Sequence, residues 1–157
     1  MSDMGHALQA RLRQKTFESP SHEATLNLMV ATGHLRQKLE SVLERHGLTG
    51  GQYNVLRILR GVHPAGHPRC EIASRMIERA PDVTRLIDRL ERAGLVKRDR
   101  SAAADRRRSI ATISRRGLLL LRALDAELTA VNNLVSERLS LQECLQLSRL
   151  CEKIYGP

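Results

Sequence analysis

Apolar residues recur at helical spacing along most of the chain and switch to alternation in one short stretch past its middle. Residues 1–20 form a polar lead in which Leu8 and Leu12 pair before Pro20 breaks the pattern, and they read as a short helix. Over residues 21–46, Leu28, Leu35, Leu39 and Val42 step by seven, four and three along one helix face, and Gly47 closes that helix as a left-handed cap. Thr49 followed three residues later by Gln52 is a capping box, opening a helix over 50–60 with Tyr53, Leu56 and Leu59 on its apolar side. Residues 61–68 hold Pro64, Gly66 and Pro68 and read as an irregular loop.

A short helix follows over 70–77, with Ile72, Ala73 and Met76 facing inward. Pro81 suits the first position of another helix, where its missing amide proton would have had no partner. Val83, Leu86, Ile87 and Leu90 pack inward there, and Gly94 ends the helix with Leu95 folding back. Residues 95–100 and 109–114 pair as a hairpin whose exposed tip is 101–108. Beyond it, Leu121, Leu124, Leu128, Val131 and Val135 step by three and four as a heptad seam. Ser140 with Glu143 is a second capping box, ahead of a last helix with Cys144, Leu147, Cys151 and Ile154 on one stripe.

A helix, a turn, a second helix and a two-stranded wing, in that order over residues 71–116, are the layout of a winged helix-turn-helix. The expected fold is therefore mainly α with a small β-hairpin wing. Narrow apolar seams on helices at both chain ends need a partner, and the simplest arrangement joins the ends into a helical dimerisation lobe. That divides the chain into N-terminal dimerisation helices over 1–47, a DNA-binding module over 48–116 and C-terminal dimerisation helices over 117–157. The expected dimer contacts are Leu28, Leu35, Leu128, Val131, Cys144, Leu147, Cys151 and Ile154.

Charge points the same way. Between Arg69 and Arg116 there are fourteen Lys or Arg against seven Asp or Glu, a surplus of +7 within a net charge of +9. Most of the positive charge thus sits in under a third of the chain, as a phosphate-binding surface requires. Aromatics at 2% argue against single-stranded nucleic acid or RNA, whose bases stack on aromatic platforms, and leave double-stranded DNA. The longest apolar run, 118–121, is far short of the roughly 20 residues a membrane span needs, and the first thirty residues lack the order of a secretory signal. Three scattered cysteines, Cys70, Cys144 and Cys151, make no disulfide framework. A cytoplasmic protein without a membrane partner is the expectation. No glycine-rich phosphate loop, GxSxG or HExxH is present, so no enzyme and no cofactor are expected. His63, His67 and Cys70, in their proline-containing loop, are only a weak match to any metal-ligand spacing, and no metal is expected.

The stretches 48–59 (LTGGQYNVLRIL), 71–76 (EIASRM) and 83–96 (VTRLIDRLERAGLV), with the wing sequence DRRRSIATISRRG beginning at Asp105, occur in the order and near the spacing of one bacterial family. Over roughly residues 25–155 the chain resembles the multiple antibiotic resistance regulator (MarR) family of transcription factors. The resemblance implies a homodimer with interlocked terminal helices, one winged helix per subunit, an inverted-repeat operator, and a small-molecule effector pocket between the two lobes. Ala80 stands where that family often has a polar helix cap, so the reading helix is expected to lack a side-chain acceptor. Peroxide-responsive members carry a reactive cysteine near the start of the first long helix, and this chain has none there. Cys144 and Cys151 are read as packing residues.

The expected reading helix contributes Asp82, Thr84, Arg85, Asp88 and Arg89. Arg85 and Arg89 lie four apart on one face, and arginine can donate two bonds to a guanine edge; Thr84 suits a phosphate or a thymine methyl. Asp82 is better suited to completing the first helical turn than to approaching phosphate. In the wing, Asp105 and Arg107 match the D-x-R element of the resembled family, in which the acid braces the loop and the arginine enters the minor groove, where narrowing concentrates negative potential. Arg106 and Arg108 flank them as phosphate contacts. Tyr53 and His34 are candidates for an effector pocket. The composite expectation is a sequence-specific repressor, with an architectural or nonspecific DNA-binding or partner-binding winged-helix protein as the alternative.

Overall fold

The structure is a computed structural model that describes residues 6–79, 82–99 and 109–156. The chain divides into two compact units, residues 1–39 and 40–157. In the first, α1 spans His6–Leu12 and buries Leu8, and α2 spans Pro20–Arg45 and continues into the second unit. Pro20 starts this helix rather than interrupting it. Ser19 supplies the cap, its hydroxyl accepting from the His22 amide at 3.1 Å.

The second unit adds α3 (Gly50–Gly61), β1 (His67–Pro68), α4 (Arg69–Ser74), α5 (Val83–Arg92), β2 (Val96–Asp99), β3 (Ile110–Ile113), α6 (Arg115–Ser136) and α7 (Leu141–Tyr155). Both capping boxes form. Thr49 accepts from the Gln52 amide at 3.3 Å while Gln52 Oε1 accepts from the Thr49 amide at 2.9 Å, and Ser140 and Glu143 make the same exchange. Gly47 (φ 68°) ends α2, allowing the Leu48 amide to reach back to the Leu43 carbonyl at 3.0 Å. Leu43, Val55, Leu56, Leu59, Ile72, Leu90, Val96, Leu121 and Leu124 are all but sealed from solvent, so α3 to α6 and the sheet share one core. Around it, Arg60 pairs with Asp125 at 3.0 Å, and Arg45 and His46 pair with Glu127, joining α3 and the end of α2 to α6. The Arg45 guanidinium, then the His46 ring, hold the Glu127 carboxyl below the usual glutamate range.

The sheet has the order β1-β3-β2 and is antiparallel throughout, with Val96 opposite Ile113, Asp99 opposite Ile110 and His67 opposite Ala111. The expected hairpin is present. The strand β1 was not expected, because two residues ending in proline carry no alternation; proline is tolerated there only because the strand lies at the sheet edge. Gly66 makes the approach work. Its φ is +75°, and a Cβ on it would stand 2.3 Å from the Ala111 carbonyl oxygen and 2.6 Å from Thr112 Cγ2. Gly66→Ala is therefore expected to cost about 2–3 kcal/mol in urea unfolding, through left-handed strain and loss of the β1 pairing.

The helix α4 stops at Ser74, earlier than the expected 77. A side chain from α3 intervenes. Asn54 Oδ1 accepts the Ile77 amide at 2.8 Å, taking the donor that a continuing helix would have given to the Ala73 carbonyl. Met76 is consequently half-buried rather than inward, and Ile77 stands exposed.

Candidate nucleic-acid interface

The helix α5 is amphipathic, with Val83, Ile87 and Leu90 buried and Leu86 lying against α3, where a Cβ on Gly51 would come within 3.2 Å of Leu86 Cδ1. Its start differs from expectation. Pro81 and Ala80 lie outside the described residues, and the helix opens at Val83 with Asp82 as its cap, Asp82 Oδ1 accepting from the Arg85 amide at 3.0 Å. The side-chain acceptor expected to be missing is thus supplied two residues after Ala80. Asp82 Oδ2 also meets Arg85 Nε at 3.0 Å, so the acid belongs to the first helical turn and steadies an arginine whose side chain is 79% exposed.

Thr84 and Arg89 are exposed beside Arg85. Asp88 turns elsewhere. The Arg98 side chain, only 14% exposed, lies between Asp88, which it bonds through Nη2, and Glu91, 3.1 Å from its Nε. This pairing ties β2 to α5 and withdraws two acids from the helix surface, leaving its outer face more positive. Strand alternation carries the signal for it, since a residue two after buried Val96 faces inward, and an inward arginine needs acidic partners. Arg98→Ala is expected to lower unfolding free energy by about 1–2 kcal/mol because it leaves Asp88 and Glu91 without that partner. Lys97→Ala, on the exposed side of the same strand, should stay within about 0.5 kcal/mol.

The base of the wing is fixed as firmly. Gly94 (φ 70°) turns the chain so that the Leu95 amide bonds the Leu90 carbonyl at 2.9 Å. Ser114 Oγ donates to the Gly94 carbonyl at 2.7 Å and accepts from the Gly117 amide at 3.0 Å, joining the end of α5 to the start of α6. Gly117 has no room for a side chain there, since a Cβ would lie 2.5 Å from the Leu95 carbonyl oxygen. The expected wing contacts Asp105, Arg106, Arg107 and Arg108 fall outside the described residues.

A MarR family model matches residues 48–109, from just ahead of α3 to just short of β3. A solved MarR transcription factor from Planctomyces limnophilus is 36% identical, over 87% of this chain and 98% of its own, with a TM-score of 0.66. The chain belongs to the MarR family. Two other solved structures share its fold: S. aureus MepR, solved as a DNA complex (24% identity, 83% of this chain and 94% of that one, TM-score 0.73), and CouR from Rhodococcus jostii RHA1, solved with p-coumaroyl-CoA (22%, 90% and 97%, 0.74). No match is found among curated proteins.

In this MarR family chain the expected dimer residues fall into three groups. Leu128 is 8% exposed within the single chain, whereas Leu28, Leu35, Val131, Cys144 and Cys151 are half-buried. Leu147 at 43% and Ile154 at 70% are open, and α7 buries none of its residues. Of the residues considered for an effector, Tyr53 is half-buried under the Arg57 guanidinium, 5.9 Å from its ring centroid, and burial pushes its hydroxyl pKa up; His34 is exposed. Among the described residues no three His, Cys, Asp or Glu side chains gather as a metal site, and no helix is long and apolar enough to cross a membrane.

Proposed function

We propose that the protein is a sequence-specific regulator of transcription that binds double-stranded DNA as a homodimer on an inverted-repeat operator, represses, and is released by a small-molecule effector. The observation that carries this reading is the outer face of α5. Thr84, Arg85 and Arg89 are exposed there, while Asp82 caps the helix and Asp88 is taken up by Arg98. Such a helix offers donors to base edges with its carboxylates engaged, Asp82 as the cap and partner of Arg85 Nε and Asp88 by Arg98, and Arg85 can donate in pairs to guanine. Arg107 would enter the minor groove and Arg106 and Arg108 would contact phosphate, with Asp105 bracing the segment that carries them.

Family membership supports a regulator rather than an enzyme, and a protein of the cytoplasm. MepR was solved on DNA and CouR with an acyl-CoA, and we carry DNA binding and effector release to this chain on that ground. The segments 1–47 and 117–157 would form the dimer lobe around 48–116; open Leu147 and Ile154 on α7, which contributes nothing to the core, support a partner helix there.

Selection of duplexes from a random library, followed by competition against scrambled DNA, tests the reading. A regulator should prefer its selected duplex by about 1000-fold or more. Equal affinity for both would point to an architectural DNA-binding protein.

A further inference from the structure

We propose that Ile77, in the turn ahead of α5, is a specificity-determining residue that packs on the methyl group of a thymine in the major groove; the proposal rests on the DNA-reading role of α5. Three observations carry it. The Ile77 side chain is 76% exposed, although it follows the half-buried Met76 in a segment whose apolar residues otherwise serve the core. Its backbone is nonetheless fixed, because Asn54 Oδ1 on α3 accepts its amide at 2.8 Å. Asn54 lies one turn beyond Gly51, the residue against which Leu86 of α5 packs, so the helix that steadies α5 also steadies Ile77.

An exposed β-branched side chain on a clamped backbone loses little freedom on meeting a ligand, since its χ1 is already restricted. In sequence it lies five residues ahead of the Asp82 cap, in the segment that leads to the end of the helix that Thr84 and Arg85 occupy. The chemistry that fits is apolar. Of the four bases, thymine alone offers a methyl group at the major-groove edge, and isoleucine has no donor or acceptor with which to read the others.

The test uses the duplex selected by the wild-type dimer, with each thymine replaced singly by uracil, which removes the methyl and nothing else. At one position per half-site the wild type should bind the uracil duplex about fourfold more weakly, the worth of one buried methyl. Ile77→Ala should bind thymine and uracil duplexes equally at that position, with an unchanged melting temperature, while Thr84→Ala keeps the discrimination there. Asn54→Ala should weaken the discrimination because it frees the Ile77 backbone. The proposal is overturned if Ile77→Ala retains the full thymine preference at every position, or if the wild type shows none. Failure to select any duplex would overturn the DNA-reading role itself, a different result from a selected duplex that ignores Ile77.

Discussion

Leu147→Glu should abolish the dimer and, with it, tight operator binding. The residue is 43% exposed on a helix that buries none of its own residues, so within one subunit a glutamate there is tolerated by solvent. In the proposed interface it would be a carboxylate removed from water without a partner, which costs several kcal/mol per ion, twice over in a two-fold contact. Sedimentation should therefore show either a folded monomer or an unfolded chain at micromolar concentration, where the wild type is expected to sediment as a dimer. Operator affinity should fall by 100-fold or more, on the order expected when two linked half-site contacts become independent. A Leu147→Glu chain that remains dimeric would remove α7 from the interface.

Arg85→Ala carries the second large effect. Loss of a paired donation to guanine costs about 1–3 kcal/mol per half-site, and a symmetric dimer loses it twice. Selectivity should relax at one base pair in each half-site while the remaining preferences stay. Arg107→Ala should behave differently. A wing arginine answers to groove width and phosphate charge, so its removal should weaken operator and random duplex more evenly and flatten the salt dependence by roughly one unit of slope per lost contact. Asp82→Ala sits between the two, since it removes the α5 cap and releases the Arg85 side chain that Asp82 Oδ2 holds at 3.0 Å.

Local grammar made most of this architecture readable. The Thr49/Gln52 and Ser140/Glu143 boxes, the glycine caps at Gly47 and Gly94 and the alternation flanking the wing are each decided by residues within a few positions of one another, and the structure has all of them. What the chain hid is decided at longer range. The end of α4 depends on Asn54, 23 residues earlier in sequence, capturing the Ile77 amide. The strand β1 exists because Gly66 lets the chain approach Ala111, a contact with no trace in the pattern around Pro68. The cap of α5 differs from the expected one for a local reason: Pro81 suits a first helical position and so points to Ala80 as the cap, whereas Asp82, one residue later, reaches the Arg85 amide. Within the candidate site, the exposure of Arg85, Arg89 and Thr84 was legible from helical spacing, whereas the pairing of Asp88 with Arg98 emerges only when the alternation of β2 is read together with α5, across the turn between them.

Guanine chemistry decides whether Arg85 reads a base edge. Replacing guanines of the selected operator one at a time by deazaguanine deletes the N7 acceptor while leaving pairing and backbone unchanged. At one position per half-site the wild type should lose affinity on deazaguanine DNA, whereas Arg85→Ala should bind the two duplexes equally. If Arg85→Ala instead weakens operator and scrambled DNA alike and keeps the wild-type sensitivity at every guanine, α5 is not the element that reads the sequence.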